Sequence, residues 1–146
     1  MQPDDLEAVV NASAANYRDC YRSPYWIGVT KPPYDMVPMN ISGKWVVFTD
    51  DLGDWRNIVN AVADGSLTVE AKISTDIRHE GKHAICVYSP EPHAQQTLRE
   101  LRRIGISCAA LWKADADTMA RHHGPAAYRY ISPKGLEFIK NALYTG

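Results

Sequence analysis

The chain has 146 residues, 45% of them hydrophobic and 23% charged, and its 16 Lys and Arg stand against 17 Asp and Glu for a formal net charge of -1. A chain of this length can bury about two-thirds of its unfolded surface, so we expect residues 1–146 to form a single domain. The balanced charge excludes a polyanion-binding tail, and no apolar stretch is long enough to predict a membrane-spanning helix.

Cysteine usage and the first residues indicate the compartment. Cys20, Cys86 and Cys108 show no CxxC spacing, and the last two lie in apolar runs where a buried free thiol is the usual outcome. Acidic Asp4 and Asp5 stand near the start, where a signal peptide carries positive charge. We therefore expect a reducing, cytoplasmic location and no membrane partner.

Two segments precede the first clear strand. Residues 24–38 hold four prolines and three aromatic residues, among them Trp26. This is too much proline for a central strand, so we predict a structured loop that lies on the domain. Before that loop, apolar residues at helical spacing predict an opening helix with the stripe Leu6, Val10, Ala14, Tyr17 and Tyr21.

The middle of the chain begins with a strand and a capped helix. Residues 43–49, GKWVVFT, are β-branched and aromatic and predict a strand. Asp50 or Asp51 is placed to cap the next helix, which Gly65 ends. The remaining predicted elements are a hairpin of strands 67–75 and 83–89, a helix from Ser89 to Gly105, a strand at 106–113, a short helix from Asp115 to Gly124, a strand at 126–131 and a helix from Ser132.

This order of elements predicts an α+β fold. About five or more strands share one mainly antiparallel sheet, and the helices pack on one of its faces. The opposite face would then present the outward side chains of every strand.

Lys72 raises the question of what that open face does. Alternation along its strand places Lys72 with Glu70 and Ser74 on a polar side, opposite Ala71 and Ile73. A lysine inside an apolar and β-branched strand either points to water or is kept there for a purpose.

Neighbouring strands offer further candidates for the same face. Alternation separates Trp112 from Lys113, and the pattern leaves open which of the two sides is buried. Tyr128 and Tyr130 share one side of the last strand, and Arg129 takes the other. If the polar sides coincide, ammonium groups, hydroxyls and aromatic rings form a patch suited to a phosphate on a flat group.

Four segments occur in an order that resembles a known family. They are GKWVVFTD, VEAKISTD, HAICVYS and LWKADADT, within residues 40–131. They resemble the basophilic leukaemia-expressed protein family, also called domain of unknown function 1917, which carries a lysine-tryptophan strand, an AKxST strand, an ICVY strand and a YKTDxxT stretch. The resemblance implies a fold similar to the cap-binding translation initiation factor 4E, a curved antiparallel sheet backed by helices. It implies no activity, because a fold does not determine function.

The resemblance also assigns positions. Trp112 stands where the family has tyrosine, so the contact made there is expected to differ. The residues that match the family pattern are Lys44, Trp45, Lys72, Ser74, Thr75, Tyr88, Lys113 and Thr118.

The first hypothesis for function is a binding module for an anionic small molecule such as a nucleotide, or for single-stranded nucleic acid. Lysines would hold phosphate, hydroxyls would donate hydrogen bonds, and one of Trp26, Trp45 or Trp112 would stack on a base, a contact worth ~1–3 kcal/mol. We expect Trp55 to lie in the core. The candidate ligand-binding residues are Lys72, Ser74, Lys113, Trp112, Tyr128, Trp26, Lys44 and Arg129.

Two other classes stay open. An enzyme resembling phosphothreonine lyases would need a lysine base and a histidine acid, and the segment RHEGKH places Arg78, His79, Lys82 and His83 near the strand of Lys72. Lys82 and His83 are adjacent, however, and adjacent strand residues point to opposite faces. A protein interaction domain would use the loop 24–38 and the basic helix face of Arg99, Arg102 and Arg103.

Several common site motifs do not occur. The sequence has no nucleophile elbow, no P-loop and no dinucleotide-binding glycine motif. His122 and His123 are adjacent rather than four residues apart on a helix, so we expect no metal and no cofactor.

Overall fold

The computed structural model describes residues 1–13, 19–31, 37–68, 70–120 and 128–135. Residues 133–135 begin a helix at the end of this part. The other elements, in chain order, are α1 (Pro3–Asn11), β1 (Asp19–Arg22), β2 (Trp26–Thr30), β3 (Gly43–Thr49), α2 (Leu52–Asp64), β4 (Glu70–Ser74), β5 (His83–Tyr88), a single 3₁₀ turn (Glu91–His93), α3 (Ala94–Arg103), β6 (Ala110–Ala114), α4 (Asp115–Met119) and β7 (Tyr128–Ile131).

The strands of the described residues form one open sheet with the order β1-β2-β4-β5-β3-β6-β7. All neighbouring strands are antiparallel. Side chains of α1, α2 and α3 share one apolar core with inward residues of the sheet, which confirms the α+β fold with helices on one face. Among the described residues the sheet has seven strands, in agreement with the predicted five or more. Among the described helices, none is long and apolar enough to cross a membrane.

Three tryptophans occupy the core between sheet and helices. A buried indole needs a partner for its N–H group, and each of these three donates to a backbone carbonyl. The prediction that Trp55 is core is confirmed. The pairs and their nitrogen-to-oxygen distances are Trp45 with Ala94 at 2.7 Å, Trp55 with Leu6 at 3.0 Å, and Trp112 with Ser89 at 3.1 Å.

The prediction for the first thirty residues is wrong in two places. The opening helix ends at Asn11, and Tyr21 belongs to β1 rather than to a helical stripe. The segment from Trp26 to Thr30 is a strand rather than a loop, because Pro24 precedes the strand and removes no ladder hydrogen bond. Ala14, Tyr17 and the second half of the predicted loop, residues 32–36, lie outside the described residues.

Helix α2 follows its predicted signals. Asp51 is the N-cap, and its carboxylate accepts a hydrogen bond from the Gly53 amide at 2.8 Å. Gly65 ends the helix with φ of 81°, in the left-handed region that glycine adopts without steric cost.

The second half of the chain keeps the predicted order with altered boundaries. The hairpin of β4 and β5 is confirmed. The next strand begins at Ala110 rather than at residue 106, because the carbonyl groups of Ile106 and Cys108 accept hydrogen bonds from the Arg102 side chain at 2.7 and 2.9 Å. The N-cap of α4 is Ala114 and not the predicted Asp115. The predictions for Val69, His122, His123, Gly124, residues 126–127 and the helix beyond residue 135 lie outside the described residues.

Candidate functional site

The open face of the sheet carries a small apolar cluster of its own. Val46, Ala84 and Cys86 are its buried members, and they lie on the central strands β3 and β5. Half-buried aromatic rings pack around them, namely Trp26, Phe48 and Tyr88. The centre of the open face is therefore apolar and buried, and aromatic side chains surround it.

Lys72 lies in the middle of this face. The register of β4 places it directly between Gly28 of β2 and Cys86 of β5. Its ammonium nitrogen is 4.1 Å from the ring centroid of Trp26 and 5.8 Å from that of Tyr88. Because Gly28 has no side chain at the position paired with Lys72, it leaves room for the lysine side chain to lie close to the rings of Trp26 and Tyr88.

The surroundings of Lys72 disfavour its charge. Burial lowers the pKa of Lys72 from its ordinary value, and the nearby Lys44 ammonium acts in the same direction. Two cation–π contacts compensate in part, each worth ~0.5–2 kcal/mol. Among the described residues, no carboxylate lies within ion-pair distance of Lys72.

Lys44 and Lys113 extend the positive charge further across the sheet, beyond β5. They lie directly opposite each other on β3 and β6. Lys44 is 5.7 Å from the ring centroid of Tyr88 and donates to Asp115 at 3.2 Å. Burial lowers the pKa of Lys113, and the Lys44 charge contributes in the same direction. Lys72, Lys44 and Lys113 therefore lie on the same face of the sheet, and the side of Lys113, which the sequence pattern left open, is the open one. We call Lys72, Lys44, Lys113 and Tyr88 the lysine cluster.

Tyr21 forms the wall of the site on the side of β1. Its ring lies over Gly28, so closely that a Cβ on residue 28 would be 2.0 Å from the ring carbon Cζ. The phenol donates a hydrogen bond to the Glu70 carboxylate at 2.8 Å. Burial, together with that carboxylate, raises the pKa of Tyr21 far above its ordinary value. Tyr21 therefore remains a hydrogen-bond donor and holds Glu70 in place.

A cleft of about 380 Å³ opens beside the lysine cluster. Glu70, Tyr88 and Asp115 line it together with Val37 and Met39, which lie between β2 and β3 in the chain. A second cleft of about 460 Å³ shares Tyr88 with it and continues towards α3. Lys72 lines neither of these two clefts and lies beside them, next to the Tyr88 ring that lines both.

Two predicted site residues, Trp112 and Ser74, are fully buried and form hydrogen bonds within the fold. Trp112 is 0% exposed on the helix side of the sheet, and its N–H group donates a hydrogen bond to the carbonyl of Ser89. The prediction that Trp112 contacts a ligand is therefore wrong. Ser74 does share the side of Lys72, but it is also 0% exposed. Its hydroxyl donates to the carbonyl of Asp76 at 2.7 Å and accepts from the Ala84 amide at 3.0 Å, which makes it a part of the hairpin.

A β-bulge in β7 puts Tyr128 and Tyr130 on different faces of the sheet. Tyr128 pairs with Lys113 and Tyr130 with Trp112, so the ladder shifts by one residue and Arg129 is the extra residue. Tyr128 therefore reaches the open face, while Tyr130 packs edge-on against Trp112 in the core with ring centroids 5.6 Å apart. The prediction that the two tyrosines share one side is wrong.

Arg129 also differs from its prediction as a ligand-binding residue. It forms ion pairs with Glu91 at 3.2 Å and with Asp117 at 3.5 Å. Its guanidinium is already neutralised at the edge of the sheet, so it adds no positive charge to the lysine cluster.

Trp26 contacts two cations with its ring. Lys72 lies over its ring, and the guanidinium carbon of Arg78 is 5.0 Å from the same ring centroid. The ring positions two cations, and Arg78 belongs to the basic turn that the sequence placed near the strand of Lys72, although it was not predicted to bind a ligand. Glu70 and Asp115 were missed as site residues as well, although alternation with Lys72 on β4 was a usable signal for Glu70.

The geometry gives little support to the two other classes. His83 is buried opposite Thr49, and its ring nitrogen Nδ1 lies 2.8 Å from the carbonyl oxygen of Ser74. Ala84, the next residue, belongs to the open face, so His83 points away from Lys72. The predicted basic helix face has fewer arginines available to a partner, because Arg102 donates to backbone carbonyls and Arg103 pairs with Glu100 at 2.8 Å.

A comparison of the chain with protein-family models and with curated proteins finds no match in either set.

Proposed function

We propose that the protein is a binding module for a phosphate-bearing ligand, a nucleotide or single-stranded nucleic acid, on the open face of the sheet. One observation carries this proposal. The Lys72 ammonium is partly desolvated and held between Trp26 and Tyr88, without a carboxylate in ion-pair distance among the described residues.

The charge of Lys72 has a physical cost that an anion would remove. A phosphate oxygen close to the ammonium supplies the opposite charge that burial lacks, and charge-assisted hydrogen bonds of this kind are about twice as strong as neutral ones. The Lys44 ammonium is also close to the Tyr88 ring, at 5.7 Å from its centroid, and would exchange part of its contact with Asp115 for the same phosphate.

The surrounding rings support a ligand with a flat group. Trp26, Phe48 and Tyr88 are half-buried on the open face and leave part of their surface to solvent. Aromatic surface of this kind favours nucleotides over inorganic phosphate, because each base has a face to pack on it.

The experiment is a thermal-shift screen of nucleotides and short single-stranded RNAs against four proteins. They are the natural chain, Lys72→Met, Lys72→Arg and the control Arg99→Met, which removes an exposed cation from α3 on the helix side. A ligand at one hundred times its dissociation constant adds ~2.7 kcal/mol, which raises the melting temperature by roughly 5–10 °C.

The expected result is a shift in the natural chain, in Lys72→Arg and in the control, and its loss in Lys72→Met. A shift of the same size in folded Lys72→Met would move the ligand away from Lys72 and contradict the proposed site. No shift with any phosphate compound would contradict the proposed function itself.

A further inference from the structure

The cleft of about 380 Å³ continues directly from the lysine cluster. The Tyr88 ring joins the two parts, because Lys72 and Lys44 lie 5.8 and 5.7 Å from its centroid and the same residue lines the cleft. A ligand whose phosphate sits at the lysines therefore has its other end within reach of the cleft.

The cleft carries charge of the opposite sign to the lysine cluster. Its described lining includes the carboxylates Glu70 and Asp115 and no lysine or arginine. The adjoining cleft of about 460 Å³ is lined by one more carboxylate, Glu100, which is paired with Arg103. A nucleic-acid chain that ran from the lysines into these clefts would bring its next phosphates towards carboxylates, and like charges at short distance repel.

The two carboxylates at the lysine cluster are held in place and are suited to accept hydrogen bonds. Tyr21 donates to Glu70 at 2.8 Å, and Lys44 donates to Asp115 at 3.2 Å. A carboxylate has about four acceptor positions, so both retain acceptor capacity for N–H or O–H groups. Those are the groups that a nucleobase edge and ribose hydroxyls offer.

The size of the cleft agrees with one nucleoside. Small-molecule sites are typically ~300–1,000 Å³ and are lined mainly by apolar groups with a few polar ones. Val37, Met39 and Pro90 supply apolar lining here, and Ser42 and Thr68 supply hydroxyl-bearing residues.

We propose that the site takes a mononucleotide in preference to single-stranded nucleic acid, with its phosphate at Lys72 and Lys44 and its nucleoside in the cleft between Glu70 and Asp115. This inference rests on the proposed function, and it names the ligand class for the same site.

The test measures dissociation constants by calorimetry for three kinds of probe. They are the four common nucleoside 5′-monophosphates, inorganic pyrophosphate, and a ten-residue RNA of mixed sequence without terminal phosphates. We expect at least one monophosphate to bind about tenfold or more tightly than both other probes. Glu70→Gln and Asp115→Asn should each weaken that monophosphate about tenfold, the effect of losing one charge-assisted hydrogen bond, and leave pyrophosphate no weaker.

The control is Asp50→Asn, which removes an exposed carboxylate outside the lining of the cleft. Glu70→Gln keeps an oxygen that can accept from Tyr21, so it gives a readout even if Asp115→Asn unfolds. RNA binding as tight as that of every monophosphate, and lost in Lys72→Met, would overturn the mononucleotide inference while the proposed function stands. If no probe binds, both are overturned.

Discussion

Lys72 is a residue at which stability and proposed function oppose each other. Its ammonium lies over Trp26 at 4.1 Å in a partly buried position, and burial lowers its pKa. A methionine or leucine would fill the same space at lower cost. Residues that break a local rule in this way are the ones expected at functional sites.

Lys72→Met is expected to keep or raise the free energy of unfolding, by up to ~1 kcal/mol, because it removes a poorly solvated charge and keeps an unbranched apolar chain against the rings. Urea unfolding at pH 7 measures the difference. A loss of more than about 1 kcal/mol would mean that the cation–π contact with Trp26 stabilises the fold, and that Lys72 is structural.

The pH dependence of the same variant tests the state of the charge. In the folded protein the pKa of Lys72 lies below the ordinary value of 10.5. The unfolded chain keeps the ordinary pKa, so between the folded and the unfolded pKa it binds the proton more strongly and stability rises with pH. Below the folded pKa, Lys72 is charged in the folded protein and the full cost of burying that charge applies.

We therefore expect any stability advantage of Lys72→Met at pH 7 to shrink as the pH approaches 10.5. Unfolding curves from pH 7 to 10.5 for both proteins give this difference. Burial raises the pKa of Tyr88, so this residue lowers stability at high pH in both proteins, and its contribution cancels in the difference between them. A difference that stays constant over the whole range would contradict a lowered pKa.

At the scale of elements, the site depends on strands that the sequence pattern did not predict. Strands β1 and β2 pair Tyr21 with Gly28, and β2 then places Gly28 beside Lys72. The apolar spacing that ends at Tyr21 also fits a helix, since a short strand with exposed residues has too few alternations to be distinguished from one. In β7, the bulge at Arg129 changed which side Tyr130 faces, and a pattern of alternation cannot predict an inserted residue.

Gly28→Ala tests this arrangement. The new Cβ would lie 2.0 Å from Tyr21 Cζ and 2.4 Å from its hydroxyl oxygen, so the ring must move away from Glu70. We expect a loss of roughly 1–3 kcal/mol in the free energy of unfolding, the usual cost of overpacking. Chemical denaturation measures it, and Tyr21→Phe is the control that keeps the ring and removes only the hydrogen bond to Glu70.

An unchanged stability in Gly28→Ala would contradict the close contact between the Tyr21 ring and β2.

For the whole molecule, the sequence predicted the fold class better than the site. Strong local signals set α2, with Asp51 at its start and Gly65 at its end, and the β4–β5 hairpin. Regular alternation held along β4, where Ala71 and Ile73 belong to the core and Lys72 lies on the open face. Trp112 could not be assigned, because both sides of β6 carry apolar residues and Leu111 is buried as well.

The most direct test of the central claim observes the Lys72 ammonium itself. Reductive methylation with ¹³C places an NMR label on each lysine and keeps its charge, and Lys72→Arg identifies the resonance. The predicted result is a pKa of Lys72 below 10.5 in the protein alone and a higher pKa when a nucleoside monophosphate is added, because a bound phosphate favours the charged form. A Lys72 resonance that titrates identically with and without every phosphate ligand would contradict an anion site on this face.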